Sequence, residues 1–341
     1  VTFLDDSGMW VLVACPAVEA GADPSTADVL EQAGLVEEGL EALGLPYRRV
    51  SVVDGRVWEL GEALAPGAVV VNLLEAPPGA PQRHAAATAV LELLGVPFTG
   101  CGAGALWLTT DKLATRAVLD AAGIPVAAGG RWHPAAPQLP PGVQFPVILK
   151  PAWEDASVGL EGNPVCEGAA ELAVRGAQLA ARFERQPLLV EEFLPGREFN
   201  VSLLEQRQGP LVLPVAEIAF VDLPAGVPPI VGYEAKWEAG SLADLHTVRR
   251  FPEEREDGTL LYQLRDLAVA AWRECGLSGY ARVDMRLDAS GQPRVLEVNA
   301  NPCLAADAGF MAAASRAGLD AAAVVRALLE AALRRPRGGQ P

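Results

Sequence analysis

The sequence predicts an α/β protein: an open N-terminal layer of strands and helices, followed by a longer portion in which strands and helices mix. Three observations carry that expectation. Apolar runs of strand length at 9–14, 48–53 and 69–73 alternate with helix-period stretches ending near 43 and 94. Of the 341 residues 50% are hydrophobic and 21% charged, which suits a folded core and excludes a disordered chain. At roughly 150 residues per domain, the length corresponds to about two domains or one large enzyme-like body.

The elements follow in order. Residues 9–14 read as a buried strand; Asp23 or Ser25 caps an amphipathic helix that stops at Gly44, and 48–53 is the next strand. A third strand at 69–73 leads to a helix over 82–94, ended by Gly95 and Pro97. The segment Gly100-Cys101-Gly102-Ala103-Gly104 follows a Pro-containing loop instead of a strand, so it reads as a hinge or turn, and a new unit starts near it. A helix over 111–122 ends at Gly123 and Pro125, and the Pro-rich stretch 132–146 reads as an exposed connection. Strands are expected at 146–151, 188–192, 198–204, 211–220, 280–287 and 294–298, with helices at 169–183, 259–275 and 320–333.

Composition narrows the function classes. Forty-three Asp and Glu against 27 Lys and Arg give a net charge of −16, which repels a phosphate backbone, so no nucleic-acid partner is expected. The uncharged stretches 93–110 and 132–149 are broken by Pro and Gly, so no membrane partner is expected either. The apolar run 9–18 follows Asp5 and Asp6, where a secretory signal carries positive charge. Five scattered cysteines without a Cys-x-x-Cys pair argue against a disulfide framework or a zinc site, and the expected compartment is cytoplasmic.

Only three of the 27 basic residues are lysines: Lys112, Lys150 and Lys236. A compact ammonium on a flexible stem suits phosphate contact where a planar guanidinium does not. The strongest local pattern is Arg282-Val283-Asp284 followed by Leu296-Glu297-Val298-Asn299-Ala300-Asn301-Pro302. Strand alternation sets Arg282 with Asp284 on one face and Glu297 with Asn299 on one face, and a turn at 288–292 closes a hairpin. Two carboxylates and a carboxamide then form a hard oxygen set suited to Mg²⁺ bridging nucleotide phosphates.

At these residues the chain resembles the ATP-grasp superfamily and, within it, the D-alanine:D-alanine ligase family. The resemblance runs through Asp111-Lys112, Phe145-Pro146-Val147-Ile148-Leu149-Lys150-Pro151, Val190-Glu191-Glu192-Phe193-Leu194-Pro195-Gly196-Arg197-Glu198, Tyr233-Glu234-Ala235-Lys236 and 282–302 in family order, across about the last two-thirds of the chain. It implies an ATP-grasp fold: an N-terminal open α/β domain (1–100), a central lobe (101–190) and a C-terminal lobe with the Mg site (191–335) that clamp ATP, and a tail (336–341).

The resemblance also implies roles. Lys112 and Lys150 contact ATP phosphates, and Ser157, Val158 and Gly159 close over them as a lid, Ser157 being counted with the catalytic groups. Glu191, Glu192, Phe193 and Leu194 form the hinge on the adenine edge, Glu198 takes the ribose hydroxyls, and Met285 or Leu296 packs on the ring. Lys236 reaches the γ-phosphate. Asp284, Glu297 and Asn299 hold Mg²⁺, as two ions, with Mn²⁺ as the alternative metal, and Arg282 stabilises the tetrahedral oxyanion. ATP is a substrate, the partners are a small carboxylate and an amine, amino acids above all, and the family's members are often homodimers.

Departures fall on the substrate side. Asn72-Leu73-Leu74-Glu75-Ala76-Pro77-Pro78-Gly79 stands where the family has a His-Gly-containing stretch, Trp237 follows the lid lysine instead of Tyr, and Cys303 with Ala306-Asp307-Ala308 replaces a Gly and a Ser region. Asp307 adds negative charge and no hydroxyl, so the expectation is poor use of D-alanine as second substrate, unless Asp307 caps the following helix. An authentic D-alanine:D-alanine ligase and a nucleotide-binding regulator without turnover are the alternatives. Cys303 reads as a packing residue, and His84, His133 and His246 as surface or capping histidines.

Overall fold

The computed structural model describes residues 9–335 apart from 19–20, 22–23, 54, 65–66, 77–78, 156, 185, 225–226 and 233–239, and no side chains at 24–26 and 242–243. Asp23, Ser25, Tyr233 to Trp237 with Lys236, and the tail therefore lie outside the described residues or side chains.

The chain opens with β1 (Trp10–Pro16), α1 (Pro24–Ala42), β2 (Tyr47–Val52), a 3-10 turn at Val57–Glu59 running into α2 (Leu60–Ala63), β3 (Ala68–Asn72) and α3 (Arg83–Leu93). The three strands form a parallel sheet in the order β2-β1-β3. Both faces are covered, which is why β1 and β3 read as continuous apolar runs. Val11, Val13 and Cys15 enter one cluster with Val29, Val36 and Leu40 of α1, while Leu12, Ala14 and Val70 face Leu91 and Phe98 on the other side. The first cluster is closed by chain from the far end of the sequence: α9 (Gly309–Arg316) contributes Phe310, and α10 (Ala321–Arg334) packs along α1. A Cβ at Gly39 would lie 2.8 Å from Val325, so glycine permits that close helix approach.

Two helices follow. Residues 100–102 form the expected turn, with Gly100 at φ +88°, but Ala103 and Gly104 already belong to a helix, α4 (Ala103–Thr110), that the local sequence does not announce. Its first amide is satisfied from outside, by Glu92 Oε1 accepting from Ala103 N at 2.9 Å, so no local capping residue announces it. Asp111 then caps α5 (Lys112–Ala121), accepting from Leu113 N and Ala114 N at 2.9 and 3.2 Å. Both helices share a core with Phe199, Val283 and Met285 of the C-terminal sheet.

The central sheet is antiparallel, in the order β4-β7-β5-β6: β4 (Gly129–Trp132), β5 (Val147–Pro151), β6 (Val165–Cys166) and β7 (Leu188–Glu192), with α6 (Ala169–Arg182) against it. Trp132 is not part of an exposed connection: it ends β4, is 2% exposed and lies over Gly176 of α6, where a Cβ would come within 2.2 Å of its ring. The exposed connection begins after it.

The C-terminal sheet has the order β11-β10-β8-β12-β13, with β9 on β8. Its strands are β8 (Glu198–Gln206), β9 (Gly209–Val212), β10 (Ala216–Phe220), β11 (Thr247–Arg250), β12 (Tyr280–Leu287) and β13 (Pro293–Asn299). The single strand expected at 211–220 is two, broken at 213–215 around Pro214, which has no N–H for the ladder. Between β10 and β11 lies α7 (Leu242–Leu245), and after β11 comes α8 (Glu254–Glu274), which starts five residues before the expected 259. Glu254, Glu256 and Asp257 sit in its first turn, where negative charge favours the helix dipole.

Candidate active site

A cleft of about 2030 Å³ is lined by β5, β7, β12, β13 and the loop 154–161, and reaches α1 and the chain after β3. On its floor β12 and β13 pair as the expected hairpin, with Arg282 opposite Asn299 and Asp284 opposite Glu297. Arg282 holds Asp284 with two bonds, Nε–Oδ1 2.7 Å and Nη2–Oδ2 2.8 Å, and Asn200 donates to Asp284 Oδ1 at 2.8 Å. Asn299 Oδ1 accepts from Asn301 N at 2.8 Å, and Tyr280 donates to Asn301 Oδ1 at 2.8 Å, so the Asn-x-Asn turn is fixed from both sides. Burial works against the charge on Arg282, and the Asp284 carboxylate outweighs it, raising the pKa further.

Asp284, Glu297 and Asn299 all line the cleft and offer only hard oxygen donors, a set that fits Mg²⁺. Among the described residues no group of three or more His, Cys, Asp or Glu is arranged to hold a metal by itself, so a cation here requires the Asn299 carbonyl and outside oxygens such as phosphate.

Two of the three lysines face this hairpin. Lys112, 7% exposed, has Nζ 3.5 Å from Glu297 Oε1 and 3.4 Å from Asp155 Oδ1, and donates to the Glu154 carbonyl. Burial alone would lower its pKa, but attraction from Glu297 and Asp155 raises it, so it stays charged. Lys150 Nζ meets Glu191 Oε2 at 2.6 Å while Arg116 Nη1 meets Glu191 Oε1 at 2.8 Å. Glu191 is thus a buried, doubly paired carboxylate instead of a solvated strand end, and Glu192 accepts from Gln144 N at 3.0 Å. Lys236 is outside the described residues.

Of the residues expected to form a lid, Ser157 is the non-glycine residue in the left-handed region. Ser157 has φ +65° and its hydroxyl donates to the Val231 carbonyl at 2.8 Å; Val158 N donates to Asp155 O at 3.0 Å. Gly159 has φ +86°, and a Cβ there would lie 2.5 Å from Pro151 Cδ. Ser157 and Val158 line the cleft, whereas Gly159 packs on Pro151.

Of the residues expected around the adenine and ribose, Phe193, Leu194, Glu198 and Leu296 line the cleft. The amides of Glu192 and Phe193 already donate to Ala128 O and Pro146 O, at 2.8 and 2.9 Å. Met285 is corrected: it is fully buried on the other face of the sheet beside Phe199 and Val201 and does not reach the cleft. Strand alternation from Asp284 brings Arg286 to the cleft instead, a residue that the period-two spacing signals.

At the opposite end Gln32 gathers chains remote in sequence: its Nε2 donates to Asp28 Oδ2 and Glu75 Oε1 at 3.0 and 3.1 Å, and its carbonyl accepts from Leu304 N at 3.1 Å. Cys303 donates to Asp28 Oδ2 at 3.0 Å, and burial with that carboxylate raises the thiol pKa, so a reactive thiolate is disfavoured. Burial pushes Glu75 up to about 7. Asp28 and Gln32 are one helical turn apart, but no sequence signal links them to Glu75, Cys303 or Leu304. Asp307 lines the cleft and does not cap α9, whose N-cap is Ala308 without a side-chain bond; Arg249 Nη1 donates to the Asp307 carbonyl at 3.0 Å. Arg249 Nη2 and Arg282 Nη1 each lie 4.0 Å from where a Cβ on Gly309 would stand. His84 is neither surface nor cap: it lines the cleft with Nε2 buried and unpartnered, and burial pushes it down to about 4.

Comparison with known proteins bears on the fold and the family. A family model described as D-ala D-ala ligase C-terminus matches residues 133–330. A D-alanine–D-alanine ligase of Gloeobacter violaceus is 31% identical over 311 residues, 84% of this chain and 96% of that one. An uncharacterised protein of Sinorhizobium fredii, y4sG, is 34% identical over 267 residues, 78% of this chain and 75% of that protein. The D-alanine–D-alanine ligase of Bacillus anthracis complexed with ATP superposes with a TM-score of 0.71 at 19% identity, covering 96% of this chain and 98% of that one. D-alanyl-alanine synthetase A of Vibrio cholerae gives 0.72 at 19% identity, covering 96% and 99%. Fold and relatives together define an ATP-dependent ligase of the ATP-grasp class. More narrowly, the chain belongs to the D-alanine–D-alanine ligase family. Among the described residues no helix is long and apolar enough to cross a membrane.

Proposed function

We propose that the protein joins a small carboxylic acid, an amino acid by preference, to an amine through an acyl phosphate, with ATP split to ADP and phosphate. The observation that carries this reading is the convergence on one cleft of Lys112, Lys150 and the Arg282, Asp284, Glu297, Asn299 hairpin. In the first step an oxygen of the acid attacks the γ-phosphorus and ADP leaves. In the second the amine attacks the acyl carbon, its proton departs, and phosphate leaves. Lys112 and Lys150 hold phosphate oxygens as point charges, and the ion pair with Glu191 aims Lys150. Asp284, Glu297 and Asn299 would hold Mg²⁺, which neutralises phosphate charge when bound. Arg282 Nη1, directed toward the N-terminus of α9, supports an oxyanion role. The borders at 100, 190 and 335 remain part of the same proposal.

On specificity, the sequence argument against a carboxylate on the second substrate rests on Asp307, but Arg249 stands beside it and supplies a cation. The proposed departure from D-alanine therefore moves to the first substrate, whose end of the cleft holds Glu75 and Asp28 on one amide and favours additional positive charge. ADP release measured against a panel of neutral, acidic and diamino acids of both chiralities tests both levels. Release that depends on acid and amine together supports the ligase reading, and nucleotide binding without it refutes turnover. D-Alanine as the best acid and the best amine would refute the altered specificity alone.

A further inference from the structure

We propose that Arg286 reads the base of the bound nucleotide, the free Nη2 of its guanidinium donating to a ring nitrogen of a purine. This rests on the reading of the cleft as a nucleoside triphosphate site. Arg286 is 4% exposed and lines the cleft from β12, two residues beyond Asp284 and therefore on the same face. Two of its nitrogens are satisfied: Nε donates to the Gly196 carbonyl at 3.1 Å, and Nη1 to Glu198 Oε2 at 3.1 Å. Nη2 is buried and has no partner. The guanidinium lies 5.1 Å from the Phe193 ring centre and 5.7 Å from that of Phe220, and Ile148, Ile218 and Leu296 line the same cleft.

A buried donor without an acceptor is costly, and two anchored nitrogens leave this one no freedom to rotate away. A residue needed only to fill the space between Phe193 and Phe220 would be apolar. The surroundings are those of a site for a flat, largely apolar ring with few polar atoms, and a planar guanidinium can donate in plane to the edge of such a ring. Arginine has donors only, so the matching atom must be an acceptor. Purine ring nitrogens qualify and an exocyclic amine does not. The choice of Glu198 as the ribose-facing group is compatible with this, since Arg286 Nη1 orients that carboxylate.

The test is calorimetric binding of Mg-ATP, of 1-deaza-, 3-deaza- and 7-deaza-ATP, and of inorganic tripolyphosphate to the full chain and to Arg286→Met and Arg286→Lys. One deaza analogue is expected to bind the wild type about tenfold more weakly than ATP, the loss of one charge-assisted hydrogen bond. Arg286→Met is expected to lose about the same factor for ATP and to respond no further to that analogue, with tripolyphosphate unaffected and Arg286→Lys recovering part of the loss. Wild-type binding that is indifferent to all three ring nitrogens overturns the proposal without recourse to any variant. An equal loss in Arg286→Met for every nucleotide and for tripolyphosphate overturns it as well, since that marks a structural residue. A wild type that binds no Mg-ATP at all would fail the ligase reading itself, a result distinct from loss of base discrimination.

Discussion

Glu191 joins Lys150 and Arg116 through its two oxygens, so a change at Lys150 acts on three charges at once. Lys150→Arg is expected to weaken ATP binding, because a planar fork replaces a point charge and must share Glu191 with a guanidinium already in place; ATP affinity by calorimetry checks it. Glu297→Gln should leave the fold intact and lower turnover most at limiting Mg²⁺, since the amide no longer attracts a cation or Lys112, and an unchanged rate there refutes the role. Glu75 supplies a pH dependence. Its pKa, pushed up to about 7 by burial, exceeds the unfolded value of 4.5, so the folded state holds a proton that the unfolded chain releases. Stability from this group is present at low pH and is lost as pH rises through about 7. Glu75→Gln should therefore gain on the wild type in Tm as pH rises from 4.5 to about 7 and hold that gain above, and parallel Tm curves would contradict the assignment.

Elements carry the site by their ends. Asp111 ends α4 and caps α5, and Lys112 is the first residue behind that cap. Asp111→Ala should cost about 0.5–2 kcal/mol in denaturant unfolding and raise the KM for ATP, because the lysine's helix frays at its first turn. Strand alternation on β12 and β13 and the turn that joins them are legible in the sequence, whereas the register that sets Arg282 opposite Asn299 and Asp284 opposite Glu297 is seen only in the fold. The same rule, applied one residue further, distinguishes Arg286 from Met285. α4 was not legible, because its cap comes from Glu92 on another helix, and neither was β4, because Trp132 looks like loop until Gly176 is seen beneath it. Gly176→Ala should destabilise by about 1–3 kcal/mol, as a Cβ has no room against the Trp132 ring.

Across the whole molecule, a ligand that closes the cleft against both sheets should stabilise the folded state as a unit: Mg-ATP at about 100 times its Kd adds about 2.7 kcal/mol and raises Tm, and a flat Tm would deny nucleotide binding. The α/β class, most strands and helices, and the residues proposed as the hairpin's oxygen set and phosphate lysines can be read from the chain alone. Those features rest on periodicity, turn chemistry and motifs whose members lie within a few residues of one another. Folding is what brings Arg116 to share Glu191 with Lys150, Gln32 to tie Asp28 to Glu75 and Leu304, and Arg249 beside Asp307. Each of these joins residues tens to hundreds of positions apart, from helices and strands of different sheets, so their meeting depends on how α1, α5, β11 and α9 pack, for which no local pattern in the chain provides a signal.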